Sequence, residues 1–107
     1  MKINLKATRL EMTDAISNYV QEKMDMLDKY LGNTQVLNCD FEVEKIAGTQ
    51  NKGEIFRAEV NLEVPHELLR VEKTADDLYK AIDKVKDHLD GVIVKYREKA
   101  RDKRRGK

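Results

Sequence analysis

The last third of the chain, Thr74 to Lys107, reads T-A-D-D-L-Y-K-A-I-D-K-V-K-D-H-L-D-G-V-I-V-K-Y-R-E-K-A-R-D-K-R-R-G-K. Its apolar residues recur at steps of three or four, the period of an α-helix with one buried face. Thr74, followed three residues later by Asp77, predicts an N-cap with an acidic partner and therefore a helix that begins there. The buried stripe would consist of Leu78, Ile82, Val85, Leu89, Val92 or Ile93, and Tyr96.

Gly91 is the weak point of this helix, because glycine costs roughly 1 kcal/mol relative to alanine in a helix interior. Residues 90–94 could alternatively form a turn and a strand. The stripe continues through Tyr96 and Ala100, which favours one helix with a kink at Gly91.

The basic residues are concentrated at the far end of the same helix. From Lys95 to Lys107 there are eight Lys or Arg and two acids, a net formal charge of +6, whereas the whole chain carries +1. A helix of roughly thirty residues would be ~45 Å long, and a domain of this size has a radius of gyration of only ~13 Å. We therefore expect the basic end to project beyond the body, with a frayed tail over residues 101–107.

Four segments outside this helix alternate apolar and polar residues, which predicts half-buried strands at 2–8, 36–46, 54–64 and 67–73. In the second strand, Leu37, Cys39, Phe41 and Val43 would face inward. Thr13 is expected to cap a first helix that ends at Gly32, and residues 47–53 read as a loop. The order β-α-β-β-β-α predicts an α+β fold of two layers, a four-stranded sheet with two helices on one face. The β-α-β crossover favours a parallel pair, and the short loops after it favour antiparallel hairpins.

Length and composition suit one domain, residues 1–107, with a modest core. The absence of a long apolar run argues against a membrane span, and the first residues lack the apolar stretch of a signal peptide. A single cysteine, Cys39, agrees with a reducing compartment and is expected to be buried and inert. We therefore expect a cytoplasmic protein.

The sequence offers no site for catalysis. His66 and His88 are 22 residues apart and have no neighbours at metal-ligand spacing. We expect no enzymatic activity, cofactor, metal or small-molecule substrate. The outward residues of the sheet are acidic, and cross-strand pairing with Arg57 and Arg70 accounts for most of this face: the acids are Glu42, Glu44, Glu59 and Glu63.

A run of cations on an amphipathic helix is typical of a nucleic-acid contact, where neutralisation of phosphates dominates affinity. The acidic sheet should repel RNA, and sparse aromatic residues argue against base readout. Two other functions remain open. One is a double-stranded RNA-binding module that prefers free duplex. The other is a protein-interaction adaptor that uses the acidic face, with a basic tail that only confers solubility.

The chain resembles, over essentially its whole length, the family of ribosome hibernation-promoting factors and ribosome-associated inhibitors, also called sigma-54 modulation proteins. The resemblance rests on the order of elements and on four motifs, of which the last is the most specific. They are E-M-T-D-A-I (Glu11 to Ile16), Y-V-x-x-K-x-x-x-L-x-K-Y (Tyr19 to Tyr30), V-E-K (Val43 to Lys45) and D-D-L-Y-K-A-I-D-K (Asp76 to Lys84).

The resemblance implies a fold similar to a double-stranded RNA-binding domain. It also implies binding to the small ribosomal subunit, in the channel for mRNA and tRNA, with rRNA and ribosomal proteins as partners. That occupancy would inhibit translation in stressed or stationary cells and preserve idle ribosomes. Long members of the family add a C-terminal dimerisation domain. This chain stops before one, so we expect a monomeric short form or N-terminal domain.

The RNA-contacting residues implied by the resemblance are Lys23, Lys29, Lys45, Lys84, Lys86, Lys95 and Lys99. Arg97 and Arg101 follow from the charge run alone. The chain departs from the family pattern in mid-helix, which shifts the expected contact toward the helix end. Tyr79 is expected to pack rather than stack on a base. The departures are His88, Gly91, Val92 and Val94, together with Met26 at a position that is often basic.

Overall fold

The computed structural model describes residues 1–46 and 53–104, with the backbone alone for residue 104. The elements follow the predicted order, with one additional short helix. They are β1 (Asn4–Thr8), α1 (Asp14–Asp25), α2 (Asp28–Leu31), β2 (Asn38–Ile46), β3 (Ile55–Val64), β4 (Glu67–Ala75) and α3 (Leu78–Arg104).

The strands form one sheet in the order β1-β2-β3-β4. β1 and β2 are parallel, because α1 and α2 carry the chain back across the sheet between them. The two later pairs are antiparallel. Val64 pairs with Glu67, so Pro65 and His66 form the tight turn between β3 and β4, with a φ of +71° at His66. The predicted topology is confirmed.

Alternate residues of the sheet face the helices and form the core. Phe41, Val43, Val60 and Leu62 are all buried there. α3 lies on β3 and β4, and both α1 and α2 pack against α3. The prediction of a two-layer α+β fold with the helices on one face is therefore confirmed.

The predicted start of the last helix is wrong. Thr74 belongs to β4, which extends to Ala75 because Thr74 and Ala75 still pair with Arg57 and Phe56 of β3. The capping residue is Asp77, whose Oδ1 accepts a 2.7 Å hydrogen bond from Tyr79 N. Pairing with a neighbouring strand therefore outcompetes the local capping preference of Thr74.

The first helix is divided rather than continuous. Thr13 caps α1 as predicted, its Oγ1 accepting from Ile16 N. At the division, Met26 N and Leu27 N donate to carbonyls three residues back, which tightens the last turn before α2 begins. Leu27 remains buried across this turn, so the apolar stripe is preserved although the helix is not.

Two further predictions concern the orientation of Leu37 and the loop at residues 47–53. Leu37 lies before β2 and is 49% exposed, so its predicted inward orientation is wrong. The loop predicted for residues 47–53 lies outside the described residues except for Gly53, which has a φ of +65°.

α3 is helical through Gly91, so the alternative of a turn and strand there is excluded. It has 27 residues, and the molecule measures 55 × 27 × 19 Å with a radius of gyration of 15.2 Å. Its last described side chains, Arg101 to Lys103, are exposed. Residues 101–104 of the predicted tail are helical, and residues 105–107 lie outside the described part of the chain.

Candidate nucleic-acid interface

The cations of α3 lie on two opposite flanks of the helix. Residues two positions apart on an α-helix are about 200° apart around its axis, and Lys95, Arg97, Lys99 and Arg101 follow this spacing. Lys99 Nζ lies 3.3 Å from Glu67 Oε1 at the start of β4. Arg97 Nη1 donates a 2.7 Å hydrogen bond to the carbonyl of Tyr30 in α2. We therefore distinguish a β4 flank, Lys95 and Lys99, from an α2 flank, Arg97 and Arg101.

The α2 flank combines with Lys29 to form a basic depression of about 260 Å³, which is also lined by Tyr30, Val94 and Glu98. Lys29 is exposed, and its Nζ lies 5.2 Å from the centre of the Tyr30 ring. The structure thus brings together three of the predicted RNA-contacting residues, Lys29, Arg97 and Arg101. Lys29 and Arg101 can bind phosphate oxygens there with little rearrangement, whereas Arg97 already donates to the Tyr30 carbonyl.

The β4 flank is more open. Lys95 is exposed on one face of α3, and Lys99 is one turn further along. Lys84 lies three turns before Lys95 and its Nζ donates to Thr74 O at 3.3 Å, so it covers the end of β4. Lys84 also lines a shallow groove whose other side chains are both acidic and basic and include Glu72, Asp87 and Lys73.

The remaining predicted residues have acidic partners. Lys23 Nζ lies 3.4 Å from Asp83 Oδ1 and 5.3 Å from the Tyr19 ring. Lys86 is only 15% exposed and lies 3.2 Å from Asp90. Lys45 is in β2 and pairs with Glu54 at 2.7 Å. These three would have to exchange an intramolecular partner for a phosphate.

Tyr19 forms the centre of the contact between α1 and α3. Its hydroxyl donates a 2.6 Å hydrogen bond to Asp83 Oδ1. That bond, together with partial burial, raises the pKa of Tyr19 to about 12. Tyr79 packs edge-on against the Tyr19 ring, with centroids 4.8 Å apart, as expected for a packing role.

On the outer face of the sheet, Arg57 binds four glutamates from three strands. Its guanidinium nitrogens lie 2.7–3.1 Å from their carboxylates, which are those of Glu42, Glu44, Glu59 and Glu72. Burial alone would lower the pKa of Arg57, but the four hydrogen bonds raise it overall. The Thr8 hydroxyl first, and then Arg57, lower the pKa of Glu42. The predicted cross-strand pairing is confirmed, and Arg70 also pairs with Glu59.

Two features of this surface were not found from the sequence. Glu72 was not among the acids expected to pair on this face, although it completes the Arg57 cluster. Gly32 was interpreted only as a helix terminator, although it also lies against Arg97. The two-residue spacing of the cations, by contrast, was a usable signal for their division between flanks.

Cys39 is 1% exposed, and burial raises the pKa of its thiol to about 11. The expected burial of the thiol is therefore confirmed, and its raised pKa disfavours the reactive thiolate. Within residues 1–46 and 53–104, no group of three His, Cys, Asp or Glu side chains could hold a metal ion. Nor does any helix of the described part have the length and apolar character needed to cross a membrane.

Residues 3–101 match the profile of the family described as sigma 54 modulation protein / S30EA ribosomal protein. The chain belongs to this family. The match covers the sheet, all three helices and both flanks of α3, and it confirms the resemblance inferred from the motifs.

Similar proteins are known by sequence and by structure. The ribosome hibernation promotion factor of Lactococcus lactis subsp. cremoris is 34% identical over 109 residues, which cover 98% of this chain and 54% of that protein. The ribosome hibernation promoting factor of Azotobacter vinelandii is 27% identical, covering 99% of this chain and 92% of the relative. The crystal structure of the Thermus thermophilus Protein Y N-terminal domain superposes with a TM-score of 0.76 at 34% identity, over 90% of this chain and 99% of that one. This chain thus spans about half the length of the Lactococcus relative.

Proposed function

We propose that residues 1–107 form a ribosome-binding domain that acts in hibernation, as the names of its relatives suggest. In this proposal the domain binds rRNA of the small subunit in the channel for mRNA and tRNA, in the cytoplasm of stressed or stationary cells. The observation that carries the proposal is the basic depression of Lys29, Arg97 and Arg101 on the helical layer, opposite a sheet face whose glutamates surround Arg57. One surface attracts phosphate and the other repels it.

The two flanks of α3 favour a channel over the surface of a single RNA duplex. Lys95 and Lys99 lie on one side of the helix, and Arg97 and Arg101 lie on the other. The exposed positions between them include acidic Glu98 and Asp102. The outer surface of one RNA duplex could contact only one flank of α3. Phosphates on both sides of a channel could contact both flanks. Inhibition would follow from steric exclusion of mRNA and tRNA.

The nine predicted residues would contribute unequally. Exposed Lys29, Lys95 and Arg101 would bind phosphate directly, and Lys99 would do so after release from Glu67. The residues with an intramolecular partner would add smaller contributions: these are Lys23, Lys45, Lys84, Lys86 and Arg97.

The adaptor alternative receives less support. Its acidic interface would use carboxylates that already bind Arg57 at 2.7–3.1 Å. Release of these groups would leave a partly buried guanidinium without partners, which is costly.

The test is co-sedimentation of the protein with purified small subunits, with and without excess mRNA and initiator tRNA. We expect pelleting that mRNA and tRNA displace. The double variant Lys95→Glu/Lys99→Glu should lose most binding and keep its melting temperature. Lys2→Glu/Lys6→Glu, with the same charge change on exposed residues of the β1 region, is the matched control and should still bind. Equal loss in both variants, or binding that mRNA and tRNA do not affect, would contradict the proposal.

A further inference from the structure

The side chain of Arg97 in α3 contacts the end of α2 and lies against the backbone of Gly32. Its Nη1 donates to Tyr30 O at 2.7 Å. Gly32 lies directly against the guanidinium, and a Cβ at this position would be 2.9 Å from Nη2. Gly32 also has a φ of +58° and a ψ of −123°, a conformation that favours glycine. Backbone geometry thus favours glycine at this position, and a side chain there would displace the Arg97 guanidinium.

The acceptor of this hydrogen bond lies at the end of α2, where carbonyls lack helical partners. The next backbone amides, Gly32 N and Thr34 N, donate to Asp28 O and Leu31 O. A charged donor forms a stronger hydrogen bond to a carbonyl than a neutral one does. Arg97 therefore stabilises the last turn of a helix that is only four residues long.

Lys29 belongs to the same turn. Its Nζ lies 5.2 Å from the ring of Tyr30, the residue whose carbonyl Arg97 holds. Arg101, one turn after Arg97, lines the same depression as Lys29. Holding the Tyr30 backbone therefore keeps the neighbouring Lys29 beside the depression that Arg101 also lines.

We infer that Arg97 is a positioning residue, which acts on RNA binding through Lys29 by holding α2 against α3. Lys29 and Arg101 are then the groups that contact the RNA backbone in the basic depression. The RNA part of this inference rests on the proposed function, whereas the hold on α2 does not.

Hydrogen exchange in the free protein tests the hold on α2. Arg97→Ala should speed exchange of the Gly32 and Thr34 amides roughly tenfold, because a hydrogen bond from an ionised group is lost. Arg101→Ala, which removes a cation from the same flank, is the matched control and should leave these amides unchanged. Amides of the central strand β3 report whether either variant is globally destabilised. Unchanged exchange of the α2 amides in Arg97→Ala would overturn the inference.

A double-mutant cycle on purified small subunits tests the action through Lys29. Lys29→Ala and Arg97→Ala should each weaken binding, and the second substitution should change affinity by less than about twofold once the first is present. Lys29 and Lys95 lie on opposite sides of α3 and form the control pair. In the double variant Lys29→Ala/Lys95→Ala, the fold-losses of affinity of the two single variants should multiply. If the fold-losses of affinity of Lys29→Ala and Arg97→Ala also multiply, Arg97 contacts the RNA independently of Lys29 and the inference is overturned. If the wild-type protein does not bind small subunits, the proposed function fails, and hydrogen exchange alone decides whether Arg97 holds α2.

Discussion

The Tyr19 hydroxyl donates a 2.6 Å hydrogen bond to Asp83 Oδ1 and thereby joins α1 to α3 across the helical layer. Lys23 lies 3.4 Å from the same oxygen, and Tyr79 packs against the ring of Tyr19. This contact fixes the relative position of the two helices that carry the candidate interface.

Tyr19→Phe should lower the free energy of unfolding by about 1 kcal/mol at pH 7, since the carboxylate partner is partly exposed. The native pKa of Tyr19 is raised to about 12, above an unfolded value of about 10. The bond therefore stabilises fully below pH 10, and its contribution is lost as the pH rises through the native pKa. Urea unfolding should show the difference between wild type and variant shrinking between pH 10 and 12. Tyr79→Phe retains the ring contact and serves as the control; a difference that stays constant up to pH 12 would contradict the assignment.

Arg57→Gln should lower the free energy of unfolding by about 3 kcal/mol at pH 7, because four glutamates would remain close together without their cation. Arg70→Gln removes a cation that is 63% exposed and should cost less than about 1 kcal/mol. Chemical denaturation of both variants measures the contrast. Equal costs would mean that the cluster contributes no more than an ordinary surface pair.

The pH dependence provides a second check on the same cluster. The pKa of Glu42 is lowered in the native state, so its stabilisation is present above the unfolded value of about 4.3 and is lost as the pH falls through the native value. In Arg57→Gln, protonation of the remaining glutamates relieves their repulsion. The destabilisation relative to wild type should therefore be smaller near pH 4 than at pH 7.

Gly91→Ala should stabilise the protein by about 0.5–1 kcal/mol, since Gly91 is inside a helix and a Cβ there would meet no atom within 4 Å. Gly32→Ala should destabilise it, because Gly32 has a φ of +58° and a Cβ would lie 2.9 Å from Arg97 Nη2. Melting temperatures of the two variants should therefore shift in opposite directions. A lower melting temperature for Gly91→Ala would mean that the helix is strained at this point.

Binding to small subunits should weaken with salt, with a slope of log K against log salt of roughly −4 to −5 if about six phosphates are neutralised. Lys95→Ala/Lys99→Ala should reduce the magnitude of this slope by about 1.4–1.8. Lys2→Ala/Lys6→Ala removes the same charge from the opposite layer and should leave the slope unchanged. A flat response in the wild-type protein would indicate an apolar or protein-mediated contact.

The sequence predicted the architecture because the periodicities of its elements are strong and consistent. Alternation along β3 places Ala58, Val60 and Leu62 in the core, and all three are buried. The stripe of α3 from Leu78 to Ile93 is likewise buried as predicted. These patterns depend only on which face of an element is apolar, and that information is local.

Element boundaries and the partners of charged residues depend on neighbours that are distant in the chain. Pairing with β3 extends β4 through Thr74, so the helix begins later than its capping motif suggests. Arg57 is central to the outer face only because three strands bring their glutamates to it. Lys23 is as basic as Lys95 in sequence, yet the fold places its Nζ 3.4 Å from Asp83 Oδ1, which belongs to a different helix.

By itself, the sequence determined the order of elements, the buried face of each one and the charged end of α3, because these follow from the period and composition of single segments. Tertiary structure alone decided which element faces each group of α3 cations, and that Arg97 holds Tyr30 while Lys29 and Arg101 share a depression. The physical reason is that the partner of a charged group is set by packing across elements. Tyr30 is 67 residues away from Arg97 along the chain, and only folding brings its carbonyl within hydrogen-bonding distance.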